Sequence, residues 1–235
     1  MYEWLLSTGM NPSLVNVVVG LLKAVLIVTF LAVSALVLVL MERKVSGRIQ
    51  NRPGPNRLGP GGMFQTFADA IKLVSKEDIV PSGADKFVYI LAPLVIMAAS
   101  TALWVVIPFG PDTIVQNLNI GLIYIAAVTG INVLAFLRAG WSSNNKWSLI
   151  GSLRSAAQLV SYEVPLVLSL VAVGMMAGSL RLGDIVAAQQ GGIGNWFIFP
   201  QIIGFVVFFI AGLAEANRAP FDLPEAESEL VAGYN

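Results

Sequence analysis

Long apolar runs recur along this chain, and they constrain its fold more than any other feature. A helix that crosses the hydrocarbon core of a bilayer needs about 20 mostly apolar residues. Five segments qualify: residues 14–41, 87–109, 118–137, 153–177 and 197–216. Only 12% of the 235 residues are charged, whereas a soluble domain is about a quarter charged. The sequence therefore predicts an all-α polytopic integral membrane protein, with residues 1–235 forming a single transmembrane domain.

Basic residues lie almost entirely on one side of these predicted spans. Of the 14 Lys and Arg residues, all except Lys23 and Arg181 fall in or beside the segments 42–86, 138–153 and 217–235. Lys and Arg accumulate in cytoplasmic loops. We therefore expect the N-terminus outside and these three segments in the cytoplasm.

The residue types that are missing narrow the possible chemistry. The chain has no cysteine and no histidine, which excludes thiolate iron–sulfur clusters, His-ligated haem and ordinary zinc sites. The formal net charge is zero, so nothing points to nucleic acid. There is no nucleotide-binding loop, zinc-protease pattern or serine elbow. We predict no metal site, and any proton chemistry must use carboxylates, Lys, Tyr or water.

The segment 42–86 is too long and too charged to be a simple turn. Residues 48–62 are rich in Pro and Gly and predict irregular backbone, and the apolar periodicity that resumes after them favours order. In residues 63–76 the apolar side chains recur at helical spacing and the polar ones fall on the other side, which predicts an amphipathic helix at the membrane surface. Its charges, including Asp69, are either ordinary solvated charges or face inward to line a cavity at the membrane boundary.

Acidic residues within and beside the spans are the main functional candidates. Glu163 lies about mid-bilayer in the fourth predicted span, where a carboxylate costs on the order of 2.5–3.5 kcal/mol and must face protein or water. It is either a proton carrier or a neutral packing group. Glu215 lies at the end of the fifth span, before the acidic segment 217–235, which forms either a solvated tail or a polar funnel. Pro220 and Pro224 end that helix and predict extended backbone over residues 218–223.

Five stretches carry a resemblance to a known family. They are ERK from residue 42, RPGPNRLGPGG from 52, FADAIKLVSKE from 67, SLRSAAQLVSYEVPL from 152 and AEANRAPFDLPEAESELVAGYN from 214. The whole chain resembles the membrane subunit, often called subunit 1, of proton-pumping NADH:quinone oxidoreductase (respiratory complex I). In that family the subunit joins the hydrophilic arm of the complex to its membrane arm. Family members continue for about three further spans after the acidic segment. The resemblance therefore implies that this sequence is truncated at its C-terminus.

The resemblance also implies roles for particular residues. The resemblance implies that this chain has no catalytic residue and no redox centre, and that it guides quinone and carries charge. The residues matched to the quinone chamber are Glu42, Arg43, Arg52, Asp69, Glu77, Asp222, Glu225 and Glu227. Those matched to the proton path are Glu163, Glu215, Glu229 and the nearby basic residue Arg154.

Partners follow from the same resemblance. Quinone is the implied substrate, while the iron–sulfur clusters, FMN and NADH are expected on partner subunits. Those partners are hydrophilic quinone-module subunits holding the terminal iron–sulfur cluster, small membrane subunits and antiporter-like membrane subunits, together with membrane lipid. The expected location is a bacterial plasma (inner) membrane or an equivalent energy-transducing membrane.

Three other functions stay open at this stage. The nearest is the equivalent membrane subunit of a related membrane-bound hydrogenase, whose loop sequences diverge more. A free-standing ion or solute transporter is disfavoured by the absence of internal repeats and by the long cytoplasmic loop. A passive scaffold would use its charges only for packing and docking.

Overall fold

All regular secondary structure in the described part of the chain is helical. The computed structural model describes residues 11–110 and 114–222. The helices are α1 (Pro12–Ile49), α2 (Gln65–Ser75), α3 (Lys86–Leu103), α4 (Gly121–Ser142), α5 (Lys146–Ala177), α6 (Leu182–Ala188) and α7 (Ile202–Glu215), with short 3-10 helices at Pro60–Gly62 and Ile193–Asn195. By length and composition, α1, α3, α4 and α5 can cross a membrane. The predicted all-α, multi-pass class is confirmed.

The ends of two long helices differ from the sequence-based boundaries. The stretch 42–49, predicted as the start of a loop, continues α1 by about 12 Å at 1.5 Å per residue. Helix α5 begins at Lys146, seven residues before the predicted boundary, because the side chain of Asn145 accepts a hydrogen bond from the Trp147 N–H at 3.0 Å and caps it. The predicted loop 138–153 is therefore mostly helix, with a short turn around Asn144.

The last apolar segment forms a shorter helix than the sequence predicted. The predicted span 197–216 contains α7, which covers only the 14 residues Ile202–Glu215. Residues 197–201 form turns instead. Pro200 lies there and has no N–H to donate to a helical ladder. At about 21 Å, α7 falls short of the roughly 30 Å hydrocarbon core.

The chain divides into two compact units. The first ends at Ile79, and in it α2 packs on α1. The second begins at Val80, and in it α4 packs between α3 and α5, while α5 also contacts α6 and α7. Its core is built from small and aliphatic side chains, which include Ala92, Ala99, Leu122, Ala135, Ala156, Leu159, Leu166, Ala211 and Ala214.

The α4–α5 pair is held close by small residues at one end of the helices. A Cβ atom at Gly140 would lie 1.9 Å from Ser152 Oγ, so only glycine fits there. Ser152 and Ser155 are fully buried in the same contact region. Small residues of this kind let helix backbones approach closely inside a membrane, and this approach fixes how α4 faces α5.

Backbone hydrogen bonds tie the helix ends together. The Asp85 N–H donates to the Ser142 carbonyl at 2.9 Å, which joins the start of α3 to the end of α4. At the other end, the Leu122 N–H donates to the Leu180 carbonyl at 3.0 Å. Both ends of α4 are thus anchored to neighbouring segments, and the bundle has a defined register.

Candidate functional site

In the first unit, the Gly- and Pro-rich segment 50–62 folds back against the end of α1. A Cβ atom at Gly54 would lie 3.0 Å from Lys44 Cα, and one at Gly47 would lie 3.0 Å from the Arg52 carbonyl oxygen. Contacts this short would admit a side chain on either glycine only if the neighbouring backbone shifted by a few tenths of an ångström. The segment therefore has a specific path along α1, which sets the position of Arg52.

A cleft of about 740 Å³ opens between this segment and α1. Val39, Glu42, Arg43 and Ser46 lie on one face of α1, at the spacing of three and four residues that aligns side chains along a helix. The lining residues are Val39, Glu42, Arg43, Ser46, Arg52, Pro53, Gly54 and Pro55. The structure thus brings together three of the residues matched to the quinone chamber: Glu42, Arg43 and Arg52.

An ion pair connects α1 to α2 beside this cleft. The guanidinium of Arg43 on α1 donates to a carboxylate oxygen of Asp69 on α2, and Gln65 Nε2 donates to the other oxygen at 3.3 Å. These two hydrogen bonds, Arg43 foremost, hold the pKa of Asp69 below its ordinary value. Both partners are partly exposed, so solvent screens the pair and its chief effect is on geometry.

Helix α2 turns its polar side toward α1. The apolar side chains of Phe67, Ile71 and Val74 are exposed, Val74 at 89% of its surface. Thr66, by contrast, is buried. Asp69 and its charge partner therefore lie on the side of α2 that faces α1, and both remain partly exposed. Glu77, another residue matched to the chamber, lies exposed just beyond the end of α2.

In the second unit, Glu163 on α5 faces α4. The Thr129 hydroxyl can donate to Glu163 Oε1 at 3.4 Å. A Cβ atom at Gly130 would lie 3.2 Å from the same oxygen, so this glycine leaves room for the carboxyl group. Glu163 is half-buried. The sequence singled out Glu163 by its depth, but Thr129 gave no comparable signal, because Thr is common in apolar helices.

Glu215 lies at the end of α7, which also packs on α5. It is half-buried, and the helix that carries it packs on the helix that carries Glu163. Two packed helices therefore each contribute one acid to this unit. Arg154 lies nine residues before Glu163 on α5, about 13.5 Å along the axis and on the opposite helix face.

The segment after α7 turns back onto α5. Residues 216–221 form turns rather than the predicted extended backbone. Gln158 of α5 donates from its side-chain nitrogen to the carbonyl oxygens of Ala214 and Phe221, each at 2.8 Å. Asp222 follows and is exposed, whereas the predicted site residues Glu225, Glu227 and Glu229 lie outside the described residues. Sequence reasoning missed Gln158, because an amide in an apolar helix has no distinctive spacing.

Comparison with known proteins identifies the family. A family model described as NADH dehydrogenase matches residues 22–235. The chain belongs to the NADH dehydrogenase family. Within the described ranges, no group of three or more His, Cys, Asp and Glu side chains could hold a metal ion. The polar clusters of this NADH dehydrogenase family member are thus built from carboxylates, arginines and amides.

Relatives named as subunits of NADH-quinone oxidoreductase are similar over most of the chain. The protein from Rubrobacter xylanophilus is 52% identical over 200 residues, which cover 85% of this chain and 60% of the relative. The Carboxydothermus hydrogenoformans protein is 47% identical over 230 residues, covering 98% and 65%. The Brevibacillus brevis protein is 56% identical over 194 residues, covering 83% and 57%. The chain thus spans about 60% of the length of the curated relatives it matches.

Proposed function

We propose that the chain is the membrane subunit of a proton-pumping NADH:quinone oxidoreductase. In this proposal it forms the quinone-access chamber with hydrophilic subunits and couples quinone reduction to proton translocation through buried carboxyl groups. The observation that carries the proposal is the pair of acids on two packed helices, Glu163 on α5 and Glu215 on α7. Inside an apolar helix bundle, ionisable side chains of this kind mark ion and proton pathways.

The pair suits proton transfer because a carboxyl group donates a hydrogen bond when it is protonated and accepts hydrogen bonds when it is ionised. The Thr129 hydroxyl within reach of Glu163 can donate to the carboxylate when it is ionised. In this proposal the pair acts as a relay, in which protons pass between the acid on α7 and the acid on α5.

The cleft in the first unit supports the quinone part of the proposal. Reduction of a quinone to a quinol consumes two electrons and two protons, so its site needs groups that tolerate developing negative charge. Arg43 and Arg52 supply positive charge at the cleft, and Val39 and Pro53 supply apolar wall. The electrons come from redox groups on partner subunits in this proposal. Arg43 is also held by Asp69, which fixes the guanidinium on the α1 face.

The exposed apolar face of α2 supports a location at the membrane boundary. Phe67, Ile71 and Val74 would rest in lipid while Asp69 faces α1, an arrangement typical of interfacial helices. We propose that this boundary is the cytoplasmic side of an inner or equivalent energy-transducing membrane, with the N-terminus outside. The proposed partners are the quinone-module, small membrane and antiporter-like subunits. The relatives' names favour this function over a role in a hydrogenase.

A membrane assay of the whole complex tests the proposal. Glu163→Gln removes the titratable group while keeping the side-chain shape, so proton translocation driven by NADH oxidation should fall at least tenfold. The matched control is Asp184→Asn, since Asp184 is an exposed acid in the first turn of α6 and should leave translocation unchanged. An assembled Glu163→Gln complex that translocates protons at the parent rate would contradict the proposed proton role. Proton uptake by the purified chain alone would favour a free-standing transporter.

A further inference from the structure

One side-chain nitrogen on α5 contacts three residues at the end of α7 and in the segment after it. Gln158 Nε2 lies 2.8 Å from the Ala214 carbonyl oxygen, 3.2 Å from Asn217 Oδ1 and 2.8 Å from the Phe221 carbonyl oxygen. Ala214 immediately precedes Glu215, and Phe221 immediately precedes Asp222. The contacts of Gln158 therefore lie at both ends of the segment that joins the half-buried acid Glu215 to the exposed acid Asp222.

The orientation of this amide follows from its neighbours. All three contacting atoms are oxygen acceptors, so the opposite amide orientation would place Gln158 Oε1 against them and replace attraction with repulsion. The same group cannot satisfy all three acceptors fully, because an NH2 group has only two hydrogens. Ala214 and Phe221 lie at the shorter distances, and Asn217 competes for one of the two hydrogens.

A second contact forms one helical turn further along α5. The ring of Tyr162 meets the ring of Phe221 edge to face, with centroids 5.2 Å apart, a favoured aromatic geometry. Tyr162 and Gln158 are four residues apart and so lie on the same face of α5. Glu163 directly follows Tyr162 in the sequence. One stretch of α5 thus carries both the contacts to the segment after α7 and the proposed proton carrier.

Asn217 gives this segment its tight turn. Its backbone has a φ of 49°, in the left-handed region that Asn tolerates better than most residues. The turn brings Phe221 back to the same amide that already holds Ala214. The two shorter bonds, to Ala214 and Phe221, can use both hydrogens of the amide. The amide therefore couples the position of Phe221 to that of the end of α7.

We infer that Gln158 is a positioning residue that transmits movement of the segment 217–222 to the Glu163–Glu215 pair. This inference rests on the proposed function and adds a residue that links its loop acid Asp222 to its buried acids. Gln158 does not itself carry protons. It holds the end of α7 against α5, so a displacement at Asp222 changes the spacing of the two carboxyl groups.

The ratio of protons translocated to electrons transferred tests this role, because a residue that only supports assembly would not change that ratio. Gln158→Met keeps the side-chain length and removes both hydrogens. In the assembled complex we expect the ratio to fall at least twofold, while the Michaelis constant for quinone changes less than threefold. The matched control is Ser161→Ala, since the Ser161 hydroxyl donates within α5, to the Ala157 carbonyl at 2.7 Å, and it should keep the parent ratio.

A second variant keeps the test decisive if Gln158→Met does not assemble. Tyr162→Leu removes the ring contact to Phe221 and leaves the amide in place, so the ratio should fall in the same direction by a smaller factor. A parent-like ratio in the assembled variants overturns the role of Gln158. The proposed function fails separately, if Glu163→Gln pumps like the parent, and that result does not depend on either of these variants.

Discussion

Substitution of Gly140 by alanine tests whether the close approach of α4 to α5 is as tight as the structure shows. The new Cβ atom would lie 1.9 Å from Ser152 Oγ, 2.3 Å from Ser152 Cβ and 2.8 Å from the Ser148 carbonyl oxygen. Rotation of the Ser152 hydroxyl relieves only the first of these contacts. The other two involve a Cβ atom and backbone, so the helices must separate.

The expected cost follows from known effects of overpacking. Forcing an extra methyl group into a packed interior costs about 1–3 kcal/mol. In a chain of this size, a cost near 2 kcal/mol lowers Tm by about 4–8 °C. Thermal unfolding of the purified protein in detergent, followed by far-ultraviolet circular dichroism, measures it. The double variant Gly140→Ala with Ser152→Gly removes two of the three contacts and should recover part of the loss.

The control uses the same exchange where there is space. A Cβ atom at Gly212 on α7 would meet nothing within 4 Å, so Gly212→Ala should stabilise its helix by about 0.5–1 kcal/mol. The two alanine variants are thus expected to shift Tm in opposite directions. Equal Tm values for Gly140→Ala and Gly212→Ala would refute the packing argument.

Two further predictions concern the first unit. Because Arg43 holds the pKa of Asp69 below its ordinary value of 3.8, the stability that the pair contributes is present above pH 3.8 and is lost as the pH falls through the lowered pKa. Asp69→Asn should remove that part of the acid dependence of the unfolding free energy, whereas the exposed Asp78→Asn should keep it; identical acid profiles for these two variants would count against the pair. Gly62 has a φ of 78°, and a Cβ atom there would lie 2.1 Å from the Pro55 carbonyl oxygen. Gly62→Ala should therefore lower the unfolding free energy by about 2 kcal/mol or more and speed proteolytic cleavage within residues 50–62. A parent-like cleavage rate would argue against the path described for this segment.

The class of fold was predictable because bilayer-spanning helices need long apolar runs, and such runs are visible in a single sequence. The helix ends were less predictable, because charged residues occur both in loops and in helices that extend past the membrane. Glu42, Arg43 and Arg48 lie on the extension of α1 because they are good helix formers and no proline intervenes before Pro53. Hydropathy reports where lipid ends, and a helix can continue beyond that point.

The candidate site was predictable only where burial is costly. Glu163 stands out because a carboxylate in an apolar run needs a partner or water. Its hydrogen-bond donor comes from another helix, so Thr129 could be assigned to it only after α4 had been placed against α5. Gln158 was missed for the same reason, since its acceptors lie 56 to 63 residues away along the chain. Such contacts depend on packing and leave no local pattern.

The turn after α7 shows the limit of local rules. Prolines at 220 and 224 predicted an extended segment, yet residues 216–221 turn back on α5. The amide of Gln158 and the ring of Tyr162 supply contacts that favour the turn. These tertiary contacts therefore outweigh the preference of the residue before a proline for extended backbone.

Infrared difference spectroscopy of the complex tests the central claim most directly, because it detects protonation of individual carboxyl groups when quinone is reduced. The account predicts a carbonyl-stretch band of a protonated carboxyl group that changes on quinone reduction in the parent and in Asp184→Asn, and that is missing in Glu163→Gln. A difference spectrum of Glu163→Gln identical to that of the parent would show that Glu163 does not change protonation, and would contradict the account.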